Sequence, residues 1–144
     1  MIDKSGEYWR GSSADDIDEY LAEYSEEPDI EVKSVVCHSC QNNVFQIFVD
    51  YDECAIKLKC TKCKAEKALL DSEEVLPEAN PELQRCPVCK FSSKHNVKVG
   101  FHRRKNGDIK WVYIGNRCFH CRVLGSYLDM KIDYGPTDEM EKNI

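Results

Sequence analysis

The sequence predicts a small, metal-stabilised, mainly β protein with an acidic N-terminal helix, and three observations carry that expectation. Eight of the nine cysteines fall in four C-x2-C pairs. Between the pairs lie short runs rich in strand-forming residues. Residues 1–31 hold 11 acidic and 2 basic side chains, with an apolar stripe at helical spacing running through them.

The cysteine pairs come first because they decide how the chain can be stable at all. Its 144 residues and 16.6 kDa would suit one ordinary domain, but the cysteines divide it into small units. Below about 40 residues a unit buries too little apolar surface to offset its conformational entropy, so it needs a metal, disulfides or a partner. A C-x2-C turn lets two thiolates and nearby backbone amides converge on one ion, and two turns brought together by a hairpin complete a tetrahedron. The spacing assigns Cys37, Cys40, Cys60 and Cys63 to one structural Zn2+ and Cys86, Cys89, Cys118 and Cys121 to a second. Residues inside such a turn are poorly placed to form a disulfide with each other, and no export signal accompanies them. With no apolar run of membrane-spanning length and no lipidation motif either, the expectation is a soluble, cytoplasmic protein without membrane contact. A closed four-cysteine site leaves no position for water or substrate, which excludes Lewis-acid catalysis there. No other spaced set of acids, bases or nucleophiles suggests an enzyme.

Along the chain, residues 1–31 form the acidic segment, with a helix expected over about 13–25. Ser12 or Ser13 is a suitable N-cap, and Asp15 and Asp16 suit the positive end of the helix dipole. Ile17, Tyr20, Leu21 and Tyr24 make the stripe, and Pro28 marks the end. Residues 32–71 form the first metal unit, with strands over 44–49 and 54–59 and a third over 65–70. Residues 72–85, with Pro77, Pro81 and a cluster of acids, read as a linker with one helical turn from Ser72. Residues 86–136 form the second unit, with strands over 96–104 and 109–115 about Asn106-Gly107, a dipeptide that tolerates the positive φ angles of a type I′ turn. An extra strand is expected over 127–134 and a tail over 137–144. The loops between turns differ in length, 19 residues in the first unit and 28 in the second, so the repeat is architectural.

On these two cysteine sets, residues 37–63 and 86–121 resemble the zinc-ribbon group of folds. The resemblance implies two tandem zinc ribbons, each a three-stranded sheet on a structural metal, and no single function, because the group spans transcription factors, polymerase subunits, ribosomal proteins and accessory domains. The Cys86-Pro87-Val88-Cys89 turn is also similar to a rubredoxin loop, departing from it at Lys90, where rubredoxins favour glycine. With its Tyr8-Trp9-Arg10-Gly11 and Asp15-Asp16-Ile17-Asp18-Glu19-Tyr20-Leu21 opening, the whole chain resembles a group of bacterial tandem zinc-ribbon proteins, a likeness that names no target.

The net charge of −6 hides a segregation: residues 1–31 carry −9, whereas residues 86–122 carry +8 before any metal is counted. Pairing the second hairpin about Asn106-Gly107 sets Arg104 opposite Ile109, His102 opposite Trp111 and Gly100 opposite Tyr113. Val97, Val99, Phe101, Val112 and Ile114 then share the core face. Lys98, His102, Arg104, Ile109, Trp111 and Tyr113 share the other, where rings among cations could stack bases and neutralise phosphates. The acidic helix covers this face internally or projects its carboxylates toward a cationic partner, and the expectation is a mixture of the two. Of the remaining residues, Cys54 is expected as a small buried hydrophobe. His38 and His120 are expected solvated or hydrogen-bonded within the turns, and His95 and His102 on the surface.

Two functional expectations follow. The first is a non-catalytic protein-binding module that uses Asp15, Asp16, Asp18, Glu19 and Glu23 to reach a basic partner. In size, charge and lack of an active site it resembles bacterial immunity proteins and antitoxins, which implies a toxin as the partner, neutralised by occlusion. The alternative is a nucleic-acid-binding or transcription-associated ribbon using His102, Arg103, Arg104, Lys105, Lys110, Trp111 and Tyr113 on the hairpin 97–114.

Overall fold

A computed structural model describes residues 2–26 and 29–144. A short hairpin of β1 (Ile2–Asp3) and β2 (Arg10–Gly11) leads into α1 (Asp16–Tyr24). There follow β3 (Glu31–Ser34), β4 (Val44–Asp50), β5 (Ala55–Cys60), β6 (Glu66–Ala68), two 3-10 turns at Ser72–Glu74 and Leu76–Glu78, and β7 (Glu82–Leu83). The chain ends with β8 (His95–Arg103), β9 (Ile109–Cys118), β10 (Leu124–Lys131) and α2 (Asp138–Lys142). The protein is mainly β. Among the described residues no helix is long and apolar enough to cross a membrane.

Strands β3 to β10 form one sheet in the order β10-β9-β8-β4-β5-β6, with β3 also on β8 and β7 on β4. The seam is the β4–β8 pairing, Val44 opposite Asn96 and Phe45 opposite His95, which joins the two hairpins edge to edge. Val97, Val99, Phe101, Val112 and Ile114, the core face expected of the second hairpin, share one buried cluster with Phe45, Ile47, Val49, Ile56 and Leu58 of the first. Each such side chain stabilises the fold by roughly 1.5–3 kcal/mol when fully buried.

The opposite face of β8 and β9 is covered by α1. Ile17 and Leu21 point inward and are fully buried. The approach is close because the strands carry glycine beneath them: a Cβ on Gly115 would lie 2.6 Å from Ile17 Cγ2, and one on Gly100 would lie 3.1 Å from Leu21 Cδ1. Lys98 Nζ, beside these glycines, meets Asp18 at 2.5 Å and Asp15 at 3.6 Å. One side of this helix thus covers the sheet internally, and the other, with Asp15, Glu19 and Glu23, is exposed. Strand β8 is therefore buried on both faces, and His95 and His102, expected on the surface, lie inside instead.

Several local expectations are corrected. Neither Ser12 nor Ser13 caps α1 through its side chain; the Asp16 carboxylate turns back to accept the N–H of Ser12 at 2.8 Å and of Ser13 at 3.2 Å. Pro28, expected to end the helix, lies outside the described residues. Cys54 is exposed with φ +53°, because it closes the β4–β5 turn, where Asp50 Oδ1 accepts the N–H groups of Asp52 and Glu53, and the strand begins one residue later. In the second hairpin His102 faces Trp111 and Gly100 faces Tyr113 as expected, but a bulge after His102 sets Arg103, not Arg104, opposite Ile109. That shift turns Ile109 into the core.

Residues 72–85, read as a linker, hold both 3-10 turns and contribute β7, which pairs with Phe48 and Val49. Residues 137–144, read as a tail, pack against the core: Thr137 and Met140 are buried. Asn143 and Leu70 tie this segment down, the Leu70 N–H donating to Asn143 O at 3.2 Å and Asn143 Nδ2 to Leu70 O at 2.9 Å.

Candidate metal centres

All four cysteine turns use one backbone device. The residue after the second cysteine is left-handed, with φ of 65° at Gln41, 69° at Lys64, 58° at Lys90 and 68° at Arg122. Its N–H donates to the carbonyl of the first cysteine, at 2.7, 3.1, 2.9 and 3.0 Å in the same order. None of the four is glycine, at a cost of about 1–2 kcal/mol each. Lys90, the point of departure from a rubredoxin loop, thus adopts the conformation that glycine favours.

Strands β5 and β9 end on Cys60 and Cys118, so each hairpin delivers its second turn opposite its first. The result is two sets, Cys37, Cys40, Cys60, Cys63 and Cys86, Cys89, Cys118, Cys121, each with its sulfurs within 4.8 Å of one another. Individual Sγ–Sγ separations are 3.4 Å for Cys37–Cys63, 3.5 Å for Cys40–Cys60, 3.5 Å for Cys86–Cys121 and 3.9 Å for Cys89–Cys118. A tetrahedron with metal–sulfur bonds of about 2.3 Å has edges of about 3.8 Å, whereas a disulfide bond is about 2.05 Å. The separations fit sulfurs around a shared ion, and each set can hold one, consistent with two structural zinc sites.

In each set one cysteine is disposed to ionise first, while its neighbours Cys63 in the first set and Cys86 and Cys121 in the second are pushed up. Cys60 Sγ accepts from Asn42 Nδ2 and Lys62 N, each at 3.4 Å, and from Cys63 N at 3.5 Å. Burial opposes its ionisation, but these donors outweigh burial and pull the thiol down to about 5. At Cys89 burial is likewise outweighed, by the N–H groups of Ser92 and Phe91, and the thiol is brought down to about 6.

The centres differ in how they are closed. In the first, the Cys37 N–H donates to Asn42 O at 2.8 Å; in the second, the Cys86 N–H reaches Ser92 O at 2.9 Å, one residue further along. The extra residue is Phe91. On the other turn the Thr61 N–H donates to Val44 O at 3.2 Å and the Phe119 N–H to Lys94 O at 2.9 Å, so Thr61 and Phe119 are counterparts. Thr61 folds inward, its hydroxyl donating to Val44 O at 2.9 Å and accepting from Asn42 Nδ2 at 3.1 Å. Phe119 faces solvent. The cue in the sequence for Phe91 and Phe119 is a phenylalanine in each turn of the second set and none in the turns of the first.

The other expected site residues are scattered by the fold. Asp15, Glu19 and Glu23 are exposed, Glu23 pairing with Lys4 at 2.9 Å, while Asp18 holds Lys98 and Asp16 is buried at the start of α1. On the hairpin, Arg103 sits between Glu141 and Glu31, each at 2.9 Å, and these partners raise its already high pKa. Arg104 donates to the Ile132 carbonyl, Trp111 Nε1 donates to Asp129 at 3.0 Å, and the Tyr113 ring meets the edge of Tyr24 with centroids 5.9 Å apart. With His102 buried, Lys105 and Lys110 are the exposed members of that set. His38 and His120 are exposed in their turns, as expected. His95, beside the second centre, places Nε2 3.0 Å from the Tyr127 hydroxyl, and burial pushes it down to about 4.

Compared with family models, with curated proteins and with solved structures, the chain matches none.

Proposed function

We propose that this protein is a non-catalytic binding module, two zinc ribbons stabilised by one Zn2+ each, whose acidic N-terminal helix faces a protein partner with a cationic surface. The observation that carries the reading is the outward stripe of α1. Ile17 and Leu21 are spent on the core, and Asp15, Glu19 and Glu23 recur at every fourth position on the exposed side. Like charges at that spacing repel one another, although Asp15 and Glu19 lie at the positive end of the helix dipole and Glu23 pairs with Lys4. A cationic partner would relieve the repulsion, and the field of the stripe would speed encounter with it. Asp16 and Asp18 act from within the fold, one at the helix start and one against Lys98. The finer reading is a cytoplasmic bacterial immunity protein or antitoxin whose helix occludes a toxin's substrate groove; its support is resemblance in size and charge. Nucleic acid binding on the hairpin 97–114 is less favoured, because Arg103 and Arg104 already have internal partners.

The test is a paired capture with wild-type chain and the triple variant Asp15→Lys, Glu19→Lys, Glu23→Lys as bait. A protein retained by the first and lost by the second, with circular dichroism and zinc content equal in both, supports the reading. Equal retention by both baits removes the helix from the interface. An oligonucleotide bound at low salt and released by Trp111→Ala would move the function to the hairpin.

A further inference from the structure

We infer that the tip of the second metal centre is a stacking platform for single-stranded nucleic acid, at a place distinct from the hairpin face and independent of the partner proposed for α1. Phe91 is 70% exposed and Phe119 55%, more than any other large apolar side chain among the described residues. The other markedly exposed rings are tyrosines, which carry a polar hydroxyl. Leaving two phenylalanines in water forgoes burial free energy, and paired exposed apolar rings commonly mark a binding surface.

The first centre shows that the fold does not require them. Its equivalent turns make the same backbone bonds, with Thr61 where the second centre has Phe119 and no residue at all where Phe91 is inserted. There the Asn42–Thr61 hydrogen bond closes the surface. In the second centre the rings instead line an open cleft of about 540 Å³ with Ser92, Ser93, Lys94 and His120. The His120 imidazole lies against Phe91, centroids 5.0 Å apart.

Electrostatics selects the ligand. Residues 85–95 and 117–123 hold Arg85, Lys90, Lys94, Arg117 and Arg122 and no carboxylate, which outweighs the charge of about −2 that four thiolates and one zinc ion carry. Lys94 lines the cleft, Arg85 Nη1 lies 3.5 Å from Phe91 O, and Lys90 and Arg122 are exposed at the corners of the two turns. An acidic protein would need the cations alone. Flat apolar rings interleaved with cations suit a strand whose bases stack while its phosphates are neutralised, with little sequence preference.

The test uses the zinc-loaded full chain and fluorescein-labelled dT12 and U12, followed by anisotropy at low and raised salt. Saturable binding that weakens as salt rises is expected. The double variant Phe91→Ser, Phe119→Thr should weaken it by roughly tenfold or more. Trp111→Ala should leave it unchanged, and in the triple α1 variant, which gains affinity from its added positive charge, Phe91→Ser with Phe119→Thr should cost the same fold, so this site and the α1 interface fail or stand separately. Both phenylalanines are exposed, and zinc content and circular dichroism verify that the variant folds. No binding at low salt, or equal binding by the double variant, overturns the inference. So would binding of an oligoglutamate peptide in place of the oligonucleotides.

Discussion

The two metal centres are built on one backbone plan and finished differently. Both bring two C-x2-C turns together with a left-handed residue after each pair, and both attach the second turn to the strand carrying the first. The first is sealed by Asn42, which donates to Val44 O, Thr61 Oγ1 and Cys60 Sγ. The second inserts a phenylalanine and exposes another. What the pair teaches is a separation of roles: features shared by both centres serve folding, and features of one alone are free to serve binding.

The largest effect expected from that separation is loss of a ligand. Cys60→Ser should cost the first centre its ion and its folded structure, because metal binding of this kind supplies on the order of 10 kcal/mol of folding free energy. Cys54→Ser, on an exposed turn, should change stability by less than about 0.5 kcal/mol. Metal analysis together with thermal unfolding separates the two, and equal losses would break the assignment. Next comes the helix interface. Gly115→Ala places a methyl group against Ile17 and Leu21 and should destabilise by about 1–3 kcal/mol in urea titrations.

The comparison between centres is sharpened by Asn42→Ala, expected to cost about 1–2 kcal/mol because three part-buried hydrogen bonds are lost. Phe119→Thr at the second centre should stay within about 0.5 kcal/mol. If Phe119→Thr proves as costly as Asn42→Ala, the phenylalanine is structural. The smallest effect concerns pH. Hydrogen bonding to Arg103 holds the Glu141 carboxyl below its ordinary 4.5. A depressed folded-state pKa means that its contribution is complete above that ordinary value and is lost as pH falls through the folded one. Stability below about pH 4.5 should therefore fall less steeply in Glu141→Gln, with a difference under about 1 kcal/mol at neutral pH.

The ligand sets were legible because four turns of identical spacing leave few ways to group eight cysteines, and the strand cores because alternation at positions such as 97, 99 and 101 states which side faces in. That the chain turns at Asn106-Gly107 was legible from dihedral preference, but the type I′ form was not borne out: only Gly107 has a positive φ, 96°, its N–H donates to Arg104 O at 3.0 Å, and the bulge at Arg103 had no signal. What escaped depends on contacts between distant segments. The β4–β8 seam pairs residues about 50 apart and has no local signature. Without the seam and α1, β8 reads as half exposed, which is why His95 and His102 were expected at the surface. Met140 lies in too short a run to announce a buried helix. Cys54 was read by residue type, whereas its place in the turn decides its exposure.

The central claim is that two sulfur-bound ions organise this sheet, and native mass spectrometry combined with stepwise chelation tests it most directly. The account predicts a species carrying two zinc ions that loses β structure as they are withdrawn. A chain that holds fewer than two, or keeps its circular dichroism and melting transition after full chelation, would contradict it.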